Sequence, residues 1–306
     1  MTIMEAMEAR VSTRSFDGAG LTAPEAAELT AMLKSVAREA APFGNRVRLA
    51  LAGGAEVMGS GAGGDGAAGG KAAGKGAKPL RLGTYGLIAG ASAFIVPAVL
   101  PGVGAMEDAG FIIEKAVLEA TALGWASCWI GGVFSRSKAA KIAAAAEGEL
   151  VPAVIALGRP AGRRSLADRI VTGAAKSRSR KALADIVFAA EGLEKAWAGA
   201  AAALRNAPSA SNKQPWRLLR LAGRDEWLIF LDEDKVYNNS LGAVHIQNID
   251  IGIGMRHFHE AAIASGMNGR WIPLPVADGT IQPALRYGEE KGWIPVALWR
   301  FAPADF

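Results

Sequence analysis

The stretch Asn206-Ala-Pro-Ser-Ala-Ser-Asn-Lys-Gln-Pro-Trp216 places two prolines around a run of small polar side chains. Pro208 ends the Ala-rich helical pattern read over residues 189–205, because proline lacks the helical N–H donor and biases its predecessor away from the α region. Ser209, Ser211, Asn212 and Gln214 then offer hydroxyl and amide groups on irregular backbone, and Trp216-Arg-Leu-Leu-Arg-Leu221 resumes as a strand. Such groups can hold a ligand, or can hydrogen-bond to the turn itself as Ser and Asn commonly do. Near the N-terminus, Arg10 and Arg14 stand four residues apart with Ser12 between them. Two guanidinium groups and a hydroxyl suit a dianionic monophosphate, and would equally suit the solvated basic end of a short helix over residues 2–10.

Residues 159–181 gather Arg159, Arg163, Arg164, Arg169, Lys176, Arg178, Arg180 and Lys181 against Asp168 alone. A patch of this kind attracts nucleic acid, an anionic membrane or a phosphorylated ligand. Single-strand binders add aromatic platforms, and none is interleaved between Arg159 and Phe188, so a phosphate-bearing small molecule fits better. In Trp125–Gly132, Gly131 and Gly132 would let backbone approach a flat ring, or the tryptophans would pack into the core beside a loop. His257 and His259 lie two apart on a helical pattern, which turns them to different faces. They read as partly exposed helix residues rather than metal ligands, and no metal site is expected. No G-x-S-x-G elbow is present and histidine is scarce, so side-chain hydrolysis is unsupported.

The elements that must position these groups are readable along the chain. Thr22, Pro24 and the acids that follow start a helix running to about residue 40, and 47–52 is strand-like after the connector 41–49. Residues 59–78 are a low-complexity Gly-rich run expected as a flexible surface loop. Residues 82–106 carry no charge and are long enough to span a bilayer, but their glycines, Pro97 and Pro101 weaken a helix, whereas Ser92–Pro97 fits a buried strand. A helix with an apolar stripe and a short polar face follows from Glu107 to Gly124, then a strand over 151–158, and a second long helix over 249–266. At 306 residues with 51% hydrophobic and 21% charged, the chain is globular. A single cysteine, Cys128, excludes an internal disulfide and reads as a small buried hydrophobe; no leader pattern is present, and a cytoplasmic location is expected.

Four stretches together resemble the nitroreductase family of flavoproteins. Ala-Pro-Ser-Ala-Ser-Asn-Lys-Gln-Pro-Trp at 207–216 is similar to the loop that the family lays against the ribityl chain and ring edge of FMN. Arg10-Val-Ser-Thr-Arg-Ser-Phe16 resembles its N-terminal R-x-S-x-R-x-F, Leu123–Gly132 its G-L-G-T-C-W-I-G-G, and Lys176–Lys181 its basic segment. The resemblance implies FMN held by Arg10, Ser12, Arg14, Trp129, Ile130, Gly131, Gly132, Lys176, Arg178, Arg180, Pro208, Ser209, Ala210, Ser211, Asn212 and Gln214. No side chain would be catalytic, because the flavin takes a hydride from NADH or NADPH and reduces a small organic acceptor such as a nitroaromatic or quinone. A non-catalytic FMN-storing or FMN-sensing protein is the alternative.

The connectors 41–49 and 207–218 resemble one another, as do the helix 107–124 and the helix 249–266. The family is typically homodimeric with flavin sites built from both subunits, and this chain resembles a fused single-chain variety. The expected fold is therefore α+β and nitroreductase-like, with mainly antiparallel central sheets flanked by helices. Two intertwined pseudo-repeats, 1–188 and a shorter 189–306, would mimic the family homodimer. A monomer with one flavin, a small-molecule substrate and neither nucleic acid nor membrane as partner is expected.

Overall fold

The computed structural model describes residues 1–54, 82, 87–162, 179–189 and 192–301. The Gly-rich run 59–78, Lys176 and Arg178 lie outside the described residues, as does most of the basic stretch.

Two sheets flank a pair of long crossing helices. A short helix α1 (Ile3–Ala9) precedes α2 (Ala23–Val36), whose capping box pairs Thr22 with Glu25 and whose first turn holds a proline. The first sheet contains β1 (Val47–Gly53), β2 (Ala93–Val99), β3 (Ala126–Ile130) and β4 (Val154–Gly158) in the order β1-β2-β4-β3. Helix α3 (Ala105–Ala122) links β2 to β3, and α4 (Arg136–Ile142) links β3 to β4. After a short edge strand β5 (Val187–Phe188), the scheme recurs. Helix α5 (Lys195–Asn206) leads into β6 (Trp216–Arg220) and β7 (Glu226–Leu231). The single turn α6 (Lys235–Asn238) and then α7 (Ile246–Ala264) lead to β8 (Gly269–Pro273), and α8 (Gln282–Glu290) precedes β9 (Ile294–Phe301). The second sheet is ordered β5-β6-β7-β9-β8. Apart from β5, which runs parallel to β6, it matches the first strand for strand, and every other pairing is antiparallel.

The uncharged run read over 82–106 is resolved by β2, buried at every position and paired on both sides by β1 and β4. Such a strand reads as a continuous apolar run because both its faces are covered. Among the described residues no helix is long and apolar enough to cross a membrane. Cys128 is buried on β3, as expected. The helix read from 189 begins only at Lys195, and the chain just before the undescribed 190–191 is the edge strand β5.

One core runs through both units. It joins Met7, Ile112, Val117 and Ile155 of the first to Trp216, Ile229, Ile253 and Phe258 of the second. At its centre α3 crosses α7, and two glycines set the spacing. A Cβ at Gly110 would lie 2.1 Å from the carbonyl oxygen of Ile249, and one at Gly252 would lie 1.9 Å from that of Glu107. Only glycine lets the two backbones approach this closely. The short polar face expected for α3 is in fact buried, with Glu107, Asp108 and Glu114 all inside. The reading of His257 as partly exposed also needs correction. His257 is fully buried and hydrogen-bonds through Nε2 to Glu114 Oε1 at 2.8 Å, a partner on α3 that helix periodicity alone does not reveal. His259 is partly exposed, as read, lying edge-on to Phe111 and Trp299, and burial lowers its pKa to about 4, so the ring is neutral at neutral pH.

Candidate functional site

The N-terminal segment after α1 runs beside β3, where the Thr13 amide donates to the Ser127 carbonyl at 2.8 Å and Ser12 forms a parallel bridge with Ser127. This backbone ladder brings Ser12 and Arg14 to the wall of a cleft whose other walls come from elsewhere in the chain. Trp129 and Gly131 of the β3 end and Ala153 before β4 form one side. Pro208, Ser209, Ala210 and Ser211 form the second, and Ile246, Ile249, Asp250 and Ile253 of α7 close it. Residues on either side of position 182 therefore build one site, in a cleft of about 130 Å³.

Trp129 is fixed by its indole N–H, which donates to Glu114 Oε2 at 2.8 Å. Glu114 also receives His257, and the Arg10 guanidinium lies 3.9 Å from its Oε1. Arg10 is thus held in the interior, its side chain 7% exposed, and its Nε has no hydrogen-bond partner. It borders a groove beside Trp125 rather than the cleft itself. Ile130 points into the sheet's own core, away from the cleft, as alternation along a strand requires. Gly131 is at the wall, where an added Cβ would meet Ile246 at 3.0 Å, whereas nothing lies within 4 Å of one at Gly132.

The polar loop divides its labour. Pro208 to Ser211 face the cleft, while Asn212 and Gln214 turn back to hold the basic segment. Arg180 Nη1 donates to Asn212 Oδ1 at 3.2 Å and its Nη2 to the Asn206 carbonyl at 3.1 Å. The Lys181 amide donates to Gln214 Oε1 at 2.9 Å, and Arg205 Nε to the Lys181 carbonyl at 2.8 Å. Ser211, Asn212 and Gln214 sit at φ of 49°, 55° and 50°, left-handed conformations that non-glycine residues adopt at a cost and that cluster at ligand clamps. Burial lowers the pKa of Arg180, and the positive charges of Arg10 and Arg205 lower it further. The three guanidinium groups thus lie near enough for each to feel the others' charge.

Arg159, the first cation of the basic stretch, is accounted for structurally. It lies over the Trp125 ring at 4.1 Å, donates to the Gly124 carbonyl and pairs with Glu25.

Asp250 is the cleft residue the sequence reading missed. It is 2% exposed; its Oδ1 accepts the Ala210 amide at 2.9 Å, and its Oδ2 has no hydrogen-bond partner. Burial raises its pKa well above the usual carboxylate range, which favours the neutral acid. A signal was present: Asp108-Ala109-Gly110 on α3 and Asp250-Ile251-Gly252 on α7 share an Asp-x-Gly, the glycine of each being the crossing glycine. Glu114 and His257 carried no such signal. Among the described residues no group of His, Cys, Asp and Glu could hold a metal ion.

A cleft of this make-up, framed by this repeated topology, has relatives. The family profile described as "Putative TM nitroreductase" matches residues 73–262, more than half of the chain. The chain belongs to this nitroreductase family. Its fold matches that of a crystal structure from Thermotoga maritima, described as a "putative nitroreductase", with a TM-score of 0.57 and 16% identity over 99% of this chain and 95% of that one. A nitroreductase family protein of Clostridium difficile 630 aligns with a TM-score of 0.40 and 16% identity over 63% of this chain and 100% of its own. A Bacteroides fragilis nitroreductase with bound FMN aligns with a TM-score of 0.37 and 20% identity over 54% and 92%. No curated protein sequence matches the chain. The α+β fold is that of the nitroreductases, and the cleft lies between the two sheet-bearing units of this family member.

Proposed function

We propose that this protein is an FMN-dependent oxidoreductase that accepts a hydride from NADH or NADPH and reduces a small organic acceptor such as a nitroaromatic or quinone. The observation that carries this reading is the convergence of Ser12, Arg14, Trp129 and Gly131 with Pro208–Ser211 around one cleft, beside the Arg10–Arg180–Arg205 cation group. The bound flavin would supply the hydride and electron chemistry, and the protein supplies position and electrostatics. Arg14 and Arg180 would neutralise the phosphate and Ser12 would donate a hydrogen bond to it, with Arg10 and the undescribed Lys176 and Arg178 adding charge. Trp129, Gly131 and the Ile246–Ile249–Ile253 side of α7 would hold the ring and exclude water from it. The cleft is smaller than the roughly 300–1,000 Å³ of ordinary ligand pockets, so binding must widen it, and the strained loop at 208–214 is the wall best placed to give.

The matching strand orders support reading 1–188 and 189–306 as fused copies of one unit, the first ending in a strand that borders the second unit's sheet. In this reading the protein is a monomer with one flavin, located in the cytoplasm.

The test begins with the absorbance spectrum of the purified protein, followed by anaerobic addition of NADH or NADPH. A flavin spectrum that bleaches with either donor is expected. A stable oxidised spectrum with both would leave a flavin-binding protein without turnover, and a colourless chain that takes up no FMN would overturn the assignment. The flavin-to-protein ratio should be near one; a ratio of two, or flavin loss that tracks dissociation of a homodimer, would remove the fused-copy reading.

A further inference from the structure

We propose that Asp250 is a positioning residue of the cofactor cleft, its Oδ2 hydroxyl donating a hydrogen bond to an acceptor atom at the edge of the bound flavin ring. This rests on the FMN reading above.

Three observations carry it. The first is the orphaned atom: Oδ2 is shielded from solvent, belongs to a residue that lines the cleft, and has no hydrogen-bond partner. Burying a carboxyl oxygen without a partner is costly, and native interiors rarely leave one in that condition without a functional reason. The second is the comparison within the molecule. Asp108 occupies the same place in the Asp-x-Gly of α3 and likewise receives its unit's connector, but both of its oxygens are taken: Oδ1 by the Phe43 amide at 2.9 Å, Oδ2 by the amide and side chain of Asn45 at 2.8 and 3.0 Å. The clamp that holds a connector loop can therefore use both oxygens. In the second unit one of them, on a residue that lines the cleft, is left without a partner.

The third is protonation. Asp250 has no cation within ion-pairing distance among the described residues, and its burial favours the neutral acid. A neutral carboxyl whose Oδ1 accepts from a backbone amide has its O–H left to give. The ring edge of a flavin offers carbonyl oxygens and ring nitrogens as acceptors. A donor placed there strengthens its bond as negative charge gathers on the reduced ring, so Asp250 would favour the reduced cofactor. Asparagine keeps both functions, with a carbonyl oxygen for Ala210 and an N–H donor for the flavin, and leucine keeps neither.

The experiment compares wild type, Asp250→Asn and Asp250→Leu for FMN affinity by fluorescence titration and for the flavin midpoint potential. Asp250→Asn should bind FMN within about twofold of wild type, while Asp250→Leu should lose on the order of tenfold and shift the potential to more negative values. Equal affinity and potential in Asp250→Leu would overturn the proposal, as would Asp250→Asn failing to the same degree as leucine. Loss of affinity in Asp250→Leu at unchanged potential would overturn it too, because the residue would then act only as the loop clamp. Should Asp250→Leu not fold, infrared difference spectra of carboxyl-labelled wild type decide. A protonated-carboxyl band that shifts on FMN addition and is missing from Asp250→Asn supports the contact, and a band indifferent to FMN sinks it. If the wild type binds no FMN at all, the function reading fails first, and the two failures are distinguishable.

Discussion

The molecule contains two clefts at matching places beside its two sheets, and they differ in charge rather than in framework. In the cleft beside the polar loop, Ile246, Ile249 and Asp250 of α7 face Ser12, Arg14 and that loop. In its counterpart, Gly104 and Glu107 stand at the positions equivalent to Ile246 and Ile249, and Leu274 and Val296 at those of Gly131 and Ala153. The counterpart is the roomier of the two, about 340 Å³ against 130 Å³. Yet its charged lining residues are Glu107 and Glu233, and Phe43 from the first connector packs against Gly104, where even a Cβ would collide with its ring at 2.0 Å. On the FMN reading proposed above, charge rather than space would decide which cleft takes the phosphorylated cofactor.

The largest effect should come from disturbing what both clefts share. Gly252→Ala or Gly110→Ala would push a methyl group into backbone of the opposite helix, where no side chain can swing away. Overpacking of this kind costs about 3 kcal/mol, so urea denaturation should show either variant strongly destabilised. Wild-type stability in both would mean that the crossing is looser than described.

Next in size is the charge difference itself. Arg14→Ala should weaken FMN binding about ten- to a hundredfold, the loss of one charge-assisted contact of roughly 1.5–3 kcal/mol. Glu233→Ala, across in the acidic cleft, should leave FMN affinity unchanged. An Arg14→Ala protein with wild-type affinity would remove the phosphate assignment, and a comparable loss in Glu233→Ala would place the ligand in the wrong cleft.

Much of this was legible in the chain. Pro208 and the small polar residues after it announce the end of the helix, and those residues, with Ser12 and Arg14, are the ones the structure brings to one cleft. The two connectors resemble one another only faintly, whereas the strand orders β1-β2-β4-β3 and β6-β7-β9-β8 correspond. What the sequence hid was partnership at long range. Nothing local reveals that Glu114 receives both Trp129 and His257, because those contacts depend on how α3 crosses α7. Nor could side-chain type separate Ser209, at the cleft, from Gln214, whose amide is spent on Lys181 and Asn212. Both are polar residues of one loop, and only the left-handed turns at Ser211, Asn212 and Gln214 decide which way each points.

The smallest effect is also the sharpest test of how the two units diverged, because the same substitution is made at equivalent places. In Asp108→Asn the new amide has one acceptor oxygen, while the site presents donors on both sides, the Phe43 amide against Oδ1 and two donors of Asn45 against Oδ2. The NH2 group must face one set, leaving a buried donor unsatisfied at a cost of about 1–3 kcal/mol. In Asp250→Asn the carbonyl oxygen keeps the Ala210 amide and the NH2 group takes the side where Oδ2 has no partner, so the apoprotein should lose less than about 0.5 kcal/mol. Urea denaturation of both variants without FMN, at one neutral pH, measures the difference directly. Equal costs at the two positions would mean that the second clamp is as fully engaged as the first, and that the two units do not differ in the way their Asp-x-Gly aspartates are used.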